Sequence, residues 1–359
     1  MLAAVFHAPN NNIVEQVPVT HRDVTLKVRA CAVCGYDARV FRNGHRKVDP
    51  PVILGHELCA QIQKDIKADD GTALSAGSRV AVCPLIPCLN CKYCQIGDYN
   101  LCINLKEIGS SSDGGFAEYV TIPEHLIRIG GLVPVPDNLT DEEAALLEPL
   151  ACCLNSYYRM LPVAKESSVV IIGDGPMGLI HLQLFKRLSG SSVAIVGKVP
   201  LRMEMARAMG ADAVLAYSPE KTVADIHDFA GASSGDDDGG GGGGGGGGAD
   251  LVVVATSNPV AFELATKVSA RNSKISLFAG MPRGQTLLLD ANWLHYNQIS
   301  VTGTFSSTPK ILKEATRIAA DKTIELSTII THRYSLPEIE KAIDVTEKYR
   351  GLRAVINKF

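Results

Sequence analysis

The chain has 359 residues, with 35 Lys+Arg against 38 Asp+Glu and a formal net charge of −3, a balance that gives no electrostatic basis for nucleic acid or an anionic membrane as the main partner. At 46% apolar and 20% charged residues it is too apolar for a disordered chain, and its length suggests two domains at about 100 to 200 residues each. No apolar run reaches the roughly 18 residues of a membrane span and no signal-peptide pattern opens the chain, so a cytoplasmic protein is expected, whose ten cysteines bind metal or pack rather than pair.

The first 135 residues read as β-rich, with β-branched runs at Val24 to Val28, Arg79 to Cys83 and Phe116 to Ile122 punctuated by Gly, Pro, Asn and Asp. A helix is expected from Leu139 to Tyr158, capped by Asn138 or Thr140. From Ser168 to about Thr302 the apolar runs SVVIIG, SVAIVG, AVLAY, ADLVVVAT, KISLFAG and QISVTG alternate with amphipathic stretches, the pattern of a buried parallel α/β sheet. A helix (Pro309 to Asp321), a strand (Ile329 to Tyr334), a helix (Pro337 to Tyr349) and a last strand (Arg353 to Ile356) follow, and there is no internal repeat. The low-complexity segment 235–248, with an uninterrupted glycine run from Gly239 to Gly248, reads as an insertion or unassigned sequence and is given no function.

Three motifs carry chemistry. Cys88, Cys91, Cys94 and Cys102 form C-x2-C-x2-C-x7-C, in which four thiolates close a tetrahedral zinc shell with no open position, a structural site. Cys34 in CAVCGYD, His56 in ILGHEL and Glu148 in LLEPLACC supply the S, N and O donors of a catalytic zinc, and a carboxylate in an apolar helix is costly unless paired or on a metal. In VVIIGDGPMG, Gly173, Gly175 and Gly178, with Pro176 and Met177, end a strand and open a helix, as in a dinucleotide-binding turn.

In this order, CGYD, GHE, the four-cysteine loop, GGFAEY, EPLA and the strand-borne GxGxxG resemble the zinc-dependent medium-chain alcohol dehydrogenase family, from about Val14 to the C-terminus. EPLA, NQISVTGTFSSTPK and THRYSLPEIEKAI are most similar to its polyol (sorbitol) dehydrogenase branch. The resemblance implies an α/β protein with a GroES-like β catalytic domain (1–149 and 303–359) and a Rossmann doubly wound parallel sheet (150–302), with the active site in the cleft between them. It implies Cys34 and His56 as zinc ligands, Glu57 as a close second ligand or alternate, Glu148 on zinc directly or through its water, and Asp37 hydrogen-bonded to the His56 ring. Tyr36 stands where relatives carry a Ser or Thr that starts the proton relay. Thr256, Gly303, Thr304 and Phe305 are expected cofactor contacts, and Arg353 aligns with a basic residue that reaches the pyrophosphate.

The implied activity is hydride transfer between a polyol, sugar or secondary alcohol and a nicotinamide cofactor, with two zincs per chain, in a homo-oligomer (dimer or tetramer). Alternatives are an amino-alcohol (threonine-like) or aldose dehydrogenase with the same machinery, and a non-catalytic nucleotide-binding member. Nineteen residues beyond Gly178 the chain has Gly197 instead of an acid, with Lys198 and Arg202 nearby, so NADP is expected over NAD. His45 is weighed as a pocket residue against a solvated loop histidine. His181 reads as packed or exposed rather than catalytic, Cys31, Cys59, Cys83, Cys152 and Cys153 as core thiols, and Trp293 as pocket or packing.

Overall fold

The computed structural model describes residues 1–19, 24–67, 71, 73–234 and 247–359. Of the insertion expected over 235–248, all but Gly247 and Gly248 lies outside the described residues. The chain divides into two units, Met1–Cys152 with Ser306–Phe359, and Cys153–Phe305.

In chain order the first unit supplies β1 (Val24–Val33), α1 (Gly35–Asn43), β2 (Glu57–Ile62), β3 (Arg79–Val82), β4 (Tyr119–Ile122) and β5 (Leu132–Pro134). Helix α2 (Leu147–Met160) leads to the second unit, with β6 (Ser168–Ile172), α3 (Pro176–Leu184), β7 (Ser192–Gly197), α4 (Pro200–Ala208), β8 (Ala213–Ala216), β9 (Ala249–Val254), β10 (Ser269–Leu277) and β11 (Ser300–Gly303). The chain then returns to the first unit with β12 (Ile330–Ser335) and β13 (Arg353–Lys358).

The first unit is built on a seven-stranded sheet in the order β5-β3-β2-β1-β13-β12, with β4 also paired to β1. Its core holds Leu26, Val28, Leu58, Ile62, Val80 and Val355, all essentially inaccessible. The second unit is a six-stranded parallel sheet in the order β8-β7-β6-β9-β10-β11. Counted from β6 this is 3-2-1-4-5-6, the doubly wound dinucleotide-binding order. The six apolar runs named from the sequence form these six strands, with Val170, Ile172, Val196, Val252, Val254 and Ile275 buried on one face and Val169, Ile171, Val193, Ile195, Leu251 and Val253 on the other, as a sheet covered on both sides requires. No helix among the described residues is long and apolar enough to cross a membrane.

Two elements differ from expectation. The helix expected from Leu139 to Tyr158 is two, Asp141–Ala145 and α2, parted at Leu146. Pro149 explains the break: it lacks an N–H, and its ring crowds the carbonyl four residues back, that of Ala145. Thr140 caps the first piece, accepting the Glu143 N–H at 3.1 Å while Glu143 accepts the Thr140 N–H at 2.9 Å. The break sets Glu148 in the first turn of α2. Strand β10 starts at Ser269, five residues before the expected Lys274, with Asn272 at φ 59° and a register shift against β9.

Candidate active site

The register of three strands brings the first cluster together. Cys34 follows the end of β1 and His56 precedes the start of β2, and these strands are antiparallel with Ala32 opposite Glu57. On the other side of β1, β13 pairs Ala354 with Val33, so Arg353 reaches the same edge. Gly55, at φ 95°, sets His56 in place; a Cβ there would lie 2.8 Å from Cys31 Sγ and 2.9 Å from the Phe116 ring. Donor atoms of Cys34, His56 and Glu57 lie within 4.8 Å of one another. Glu148 is outside that set, and its Oε1 accepts the Cys152 thiol at 3.1 Å. Cys152 is therefore not the core thiol expected from sequence, whereas Cys31, Cys59, Cys83 and Cys153 are fully buried.

Asp37, inaccessible on α1, joins two of these residues. Its Oδ2 accepts the Cys34 N–H at 2.8 Å, and its Oδ1 lies 3.3 Å from His56 Nδ1. The imidazole thus faces Asp37 with Nδ1, leaving Nε2 as the ligand atom, the usual carboxylate–histidine arrangement of a metal site. Burial pushes the Cys34 thiol up, but the Arg353 charge and the His56 hydrogen bond outweigh it and bring the thiol down to about 6. Burial likewise works against a charged His56, and Asp37 overrides it and holds the ring well above its ordinary value. Glu57 and Glu148 are both pushed up by burial, opposed at Glu57 by Arg353 and at Glu148 by His56.

Arg353, expected at the pyrophosphate, is held within the first unit by two contacts. Its Nη2 donates to Glu57 Oε1 at 2.7 Å and its Nη1 to the Val33 carbonyl at 3.3 Å, with the side chain 3% exposed. Tyr36, half-buried in the first turn of α1, has its hydroxyl 2.8 Å from Ser110 Oγ and 3.2 Å from His45 Nδ1, and its ring edge-on to His56. The Lys47 N–H also donates to His45 Nδ1, at 3.4 Å, so that nitrogen is the acceptor and the Tyr36 O–H donates to it. His45 is exposed yet tied to Tyr36, a contact its sequence neighbours Arg46 and Lys47 did not suggest.

The four loop cysteines converge as their spacing predicts, with all four sulfur atoms within 4.8 Å of one another. Cys91 caps the turn Lys92–Gln95, Leu89 bends at φ 61°, and the Cys88 N–H points to Cys102 Sγ at 3.2 Å. Backbone N–H groups pull the Cys91 thiol down to about 6, and burial pushes Cys94 up to about 12. Four unpaired thiols gathered this closely are a donor set that suits zinc.

In the second unit the glycine turn has the shape a pyrophosphate needs. Gly173 sits at φ 125° after β6, Gly175 caps α3 with Pro176 behind it, and a Cβ on Gly178 would overlap the Gly173 carbonyl. In front of Gly175 a Cβ would meet only Arg202 Nη1, at 3.9 Å, leaving backbone and helix N-terminus open to an anion. Gly197 ends β7, Thr256 follows β9, and Gly303 ends β11, all at the carboxyl edge of the sheet where doubly wound folds bind ligands. The Thr304 N–H donates to the Leu277 carbonyl at 3.3 Å, and the Phe305 side chain is exposed. Lys198 Nζ lies 4.4 Å from the Tyr217 ring centre, and Arg202 is buried. The Met177 carbonyl accepts from His181 Nδ1 at 2.8 Å, so His181 is packed, and Trp293 packs against the sheet core. Sequence reasoning missed Asp174, whose Oδ2 accepts the Lys198 and Val199 N–H groups at 2.8 and 2.7 Å. Its only sequence signal is an acid inside the glycine motif.

Comparison with known proteins agrees with this geometry. Residues 20–137 match the alcohol dehydrogenase GroES-like domain, and residues 176–321 match the zinc-binding dehydrogenase domain. The chain is 27% identical over 361 residues to the sorbitol dehydrogenase of Bacillus subtilis, covering 98% of this chain and 95% of that one. It is 30% identical over 361 residues to a zinc-type alcohol dehydrogenase-like protein of Haemophilus influenzae, covering 98% of each. A Sinorhizobium meliloti 1021 protein solved bound to NADP superposes with a TM-score of 0.85 at 28% identity, over 99% of this chain and 98% of that one. With both domains matched in order and a relative at 30% identity along its whole length, the chain belongs to the zinc-dependent medium-chain alcohol dehydrogenases, NAD(P)-dependent enzymes, on the sorbitol dehydrogenase-like branch.

Proposed function

We propose that the chain oxidises a polyol, sugar or secondary alcohol on the Cys34–His56–Glu57 edge of the first unit, with the second unit holding the nicotinamide cofactor. The observation that carries this reading is the convergence of three donor side chains within 4.8 Å, with Asp37 bonded to one and facing another. When bound, a zinc ion held by Cys34, His56 and one of Glu57 or Glu148 supplies Lewis acidity that eases loss of the alcohol proton, and the nicotinamide accepts the hydride. Asp37 fixes the His56 ring, and Arg353 holds the Glu57 charge in place. The Tyr36 hydroxyl donates to His45 Nδ1, and the exposed His45 ring offers the proton a way to water. Cys88, Cys91, Cys94 and Cys102 hold a second, structural zinc.

The dinucleotide lies on the Gly173–Gly178 turn. Lys198 and Arg202 support NADP as the preferred form, since cations attract a 2′-phosphate. The exposed Leu288 and Tyr296 of the second unit support a homo-oligomer. Metal analysis tests the zinc reading: two zincs per chain are expected, with chelation abolishing turnover before unfolding, and full activity with one zinc or none would overturn it. A panel of polyols, sugars and secondary alcohols assayed with both cofactors identifies the substrate, and no turnover of any of them refutes the assignment.

A further inference from the structure

We propose that Asp174 is a specificity-determining residue at the adenosine end of the cofactor, a carboxylate moved from the end of β7 into the glycine turn, where it opposes a 2′-phosphate and keeps NAD a competent cofactor. The inference rests on the reading of that turn as the dinucleotide site.

In doubly wound sheets the side chain at the end of the second strand faces the adenosine ribose, and an acid there accepts the 2′-hydroxyl. In this chain that position is Gly197, which has no side chain to offer. The space is nevertheless filled: a Cβ on Gly197 would lie 2.7 Å from Asp174 Cβ and 2.8 Å from its Cγ. Glycine at 197 and aspartate at 174 are therefore one device, because any side chain at the strand end would collide with the carboxylate that replaces it. An absent acid along the sequence is thus not an absent acid in space.

The placement of the carboxylate defines its effect. The Asp174 residue is 8% exposed, and its Oδ2 takes both the Lys198 and the Val199 N–H, the amides that lead into α4. Amides at a helix start are natural receivers of a phosphate, and here they are already satisfied by an internal anion. Among the described residues Oδ1 makes no hydrogen bond, so an acceptor is left for a ribose hydroxyl. A hydroxyl gains a charge-assisted hydrogen bond there. A 2′-phosphate meets a fixed like charge in a poorly solvated place and finds its amides taken. Lys198, held over Tyr217, pulls the other way, so the net preference is a balance that Asp174 holds down.

Dissociation constants of NAD and NADP, measured by isothermal titration on the zinc-loaded full-length protein, test this without turnover. Asp174→Asn keeps an oxygen for the two amides and removes the charge. It should raise the affinity for NADP relative to NAD by about tenfold or more, the effect of one fixed charge at close range, and a ratio unchanged within about twofold would overturn the proposal. The paired change Asp174→Ala with Gly197→Asp returns the carboxylate to the strand end and should restore the relative affinity for NAD; a ratio that stays with that of Asp174→Ala alone counts equally against it. Wild-type protein that binds neither dinucleotide overturns the cofactor reading on which the proposal stands, and is distinct from a wild type that binds both while Asp174 proves silent.

Discussion

Arg353 and Glu57, 296 residues apart, form an ion pair of 2.7 Å with side chains only 3% and 1% exposed. A buried pair of this kind gains little over an apolar replacement, but removing one partner strands the other charge, at a typical cost of about 3–5 kcal/mol. Arg353→Met and Glu57→Gln are each therefore expected to lower unfolding stability, by up to about 3–5 kcal/mol, and Glu57→Gln by no less than Arg353→Met, because a lone Glu57 can take up a proton while the Arg353 charge cannot be shed. Urea denaturation of both variants checks this; losses below about 1 kcal/mol in both would show that a stranded charge is not what matters.

His181 makes acid stability measurable at one residue. Its ring is inaccessible, and Nε2 has no hydrogen-bond partner among the described residues. Burial outweighs the bond to the Met177 carbonyl and lowers its pKa to about 4, against an ordinary value of about 6.5. As pH falls through about 6.5 the unfolded chain takes up a proton that the folded ring refuses, so stability is full above that value and drops until the folded ring titrates near 4. The loss across that window is on the order of 3 kcal/mol. In His181→Phe the urea midpoint should depend less on pH between 4 and 6.5, and a dependence parallel to wild type would refute the assignment.

The contrast between Cys88–Cys102 and Arg353 shows what the sequence makes legible. Four cysteines within 15 residues meet because the loop joining them is short, so spacing alone is informative. The six strands of the second unit were equally plain, since a sheet covered on both faces demands unbroken apolar runs. Arg353 meets Glu57 only because β13 inserts beside β1, an adjacency set by sheet order and not by any local pattern. Asp174 was hidden for a similar reason: counting along the chain finds Gly197, and only the folded turn shows a neighbouring carboxylate standing over it. Cys152, placed in the core by its apolar surroundings, bonds Glu148 because the two stand four residues apart on one face of α2, a pairing the apolar context of LLEPLACC did not bring forward.

The four-cysteine loop should behave as a unit separable from turnover chemistry. Its packing is slight, with Tyr93, Tyr99 and Leu105 against the thiols, so a bound ion is expected to supply most of its order. Cys94→Ser should reduce zinc from two to one per chain and lower the melting temperature, while the remaining zinc stays bound. Unchanged metal content would remove the structural assignment.

Tyr36 offers the sharpest kinetic test because its hydroxyl and its ring have separable roles. The ring packs edge-on to His56 at 5.7 Å, whereas the hydroxyl lies between Ser110 and His45. Tyr36→Phe keeps the first contact and deletes the second. If the hydroxyl hands the substrate proton to His45, kcat should fall by roughly 10–100-fold, near the lower end of general acid–base effects, with KM little changed. His45→Gln should lower kcat by a smaller factor, because water can receive the proton directly from an exposed site. The double variant should be no slower than Tyr36→Phe alone, since two residues on one path do not contribute additively. Steady-state rates with a saturating polyol decide it: an unaltered kcat in Tyr36→Phe would leave the hydroxyl with a structural role, and multiplicative losses in the double variant would place His45 on a different path.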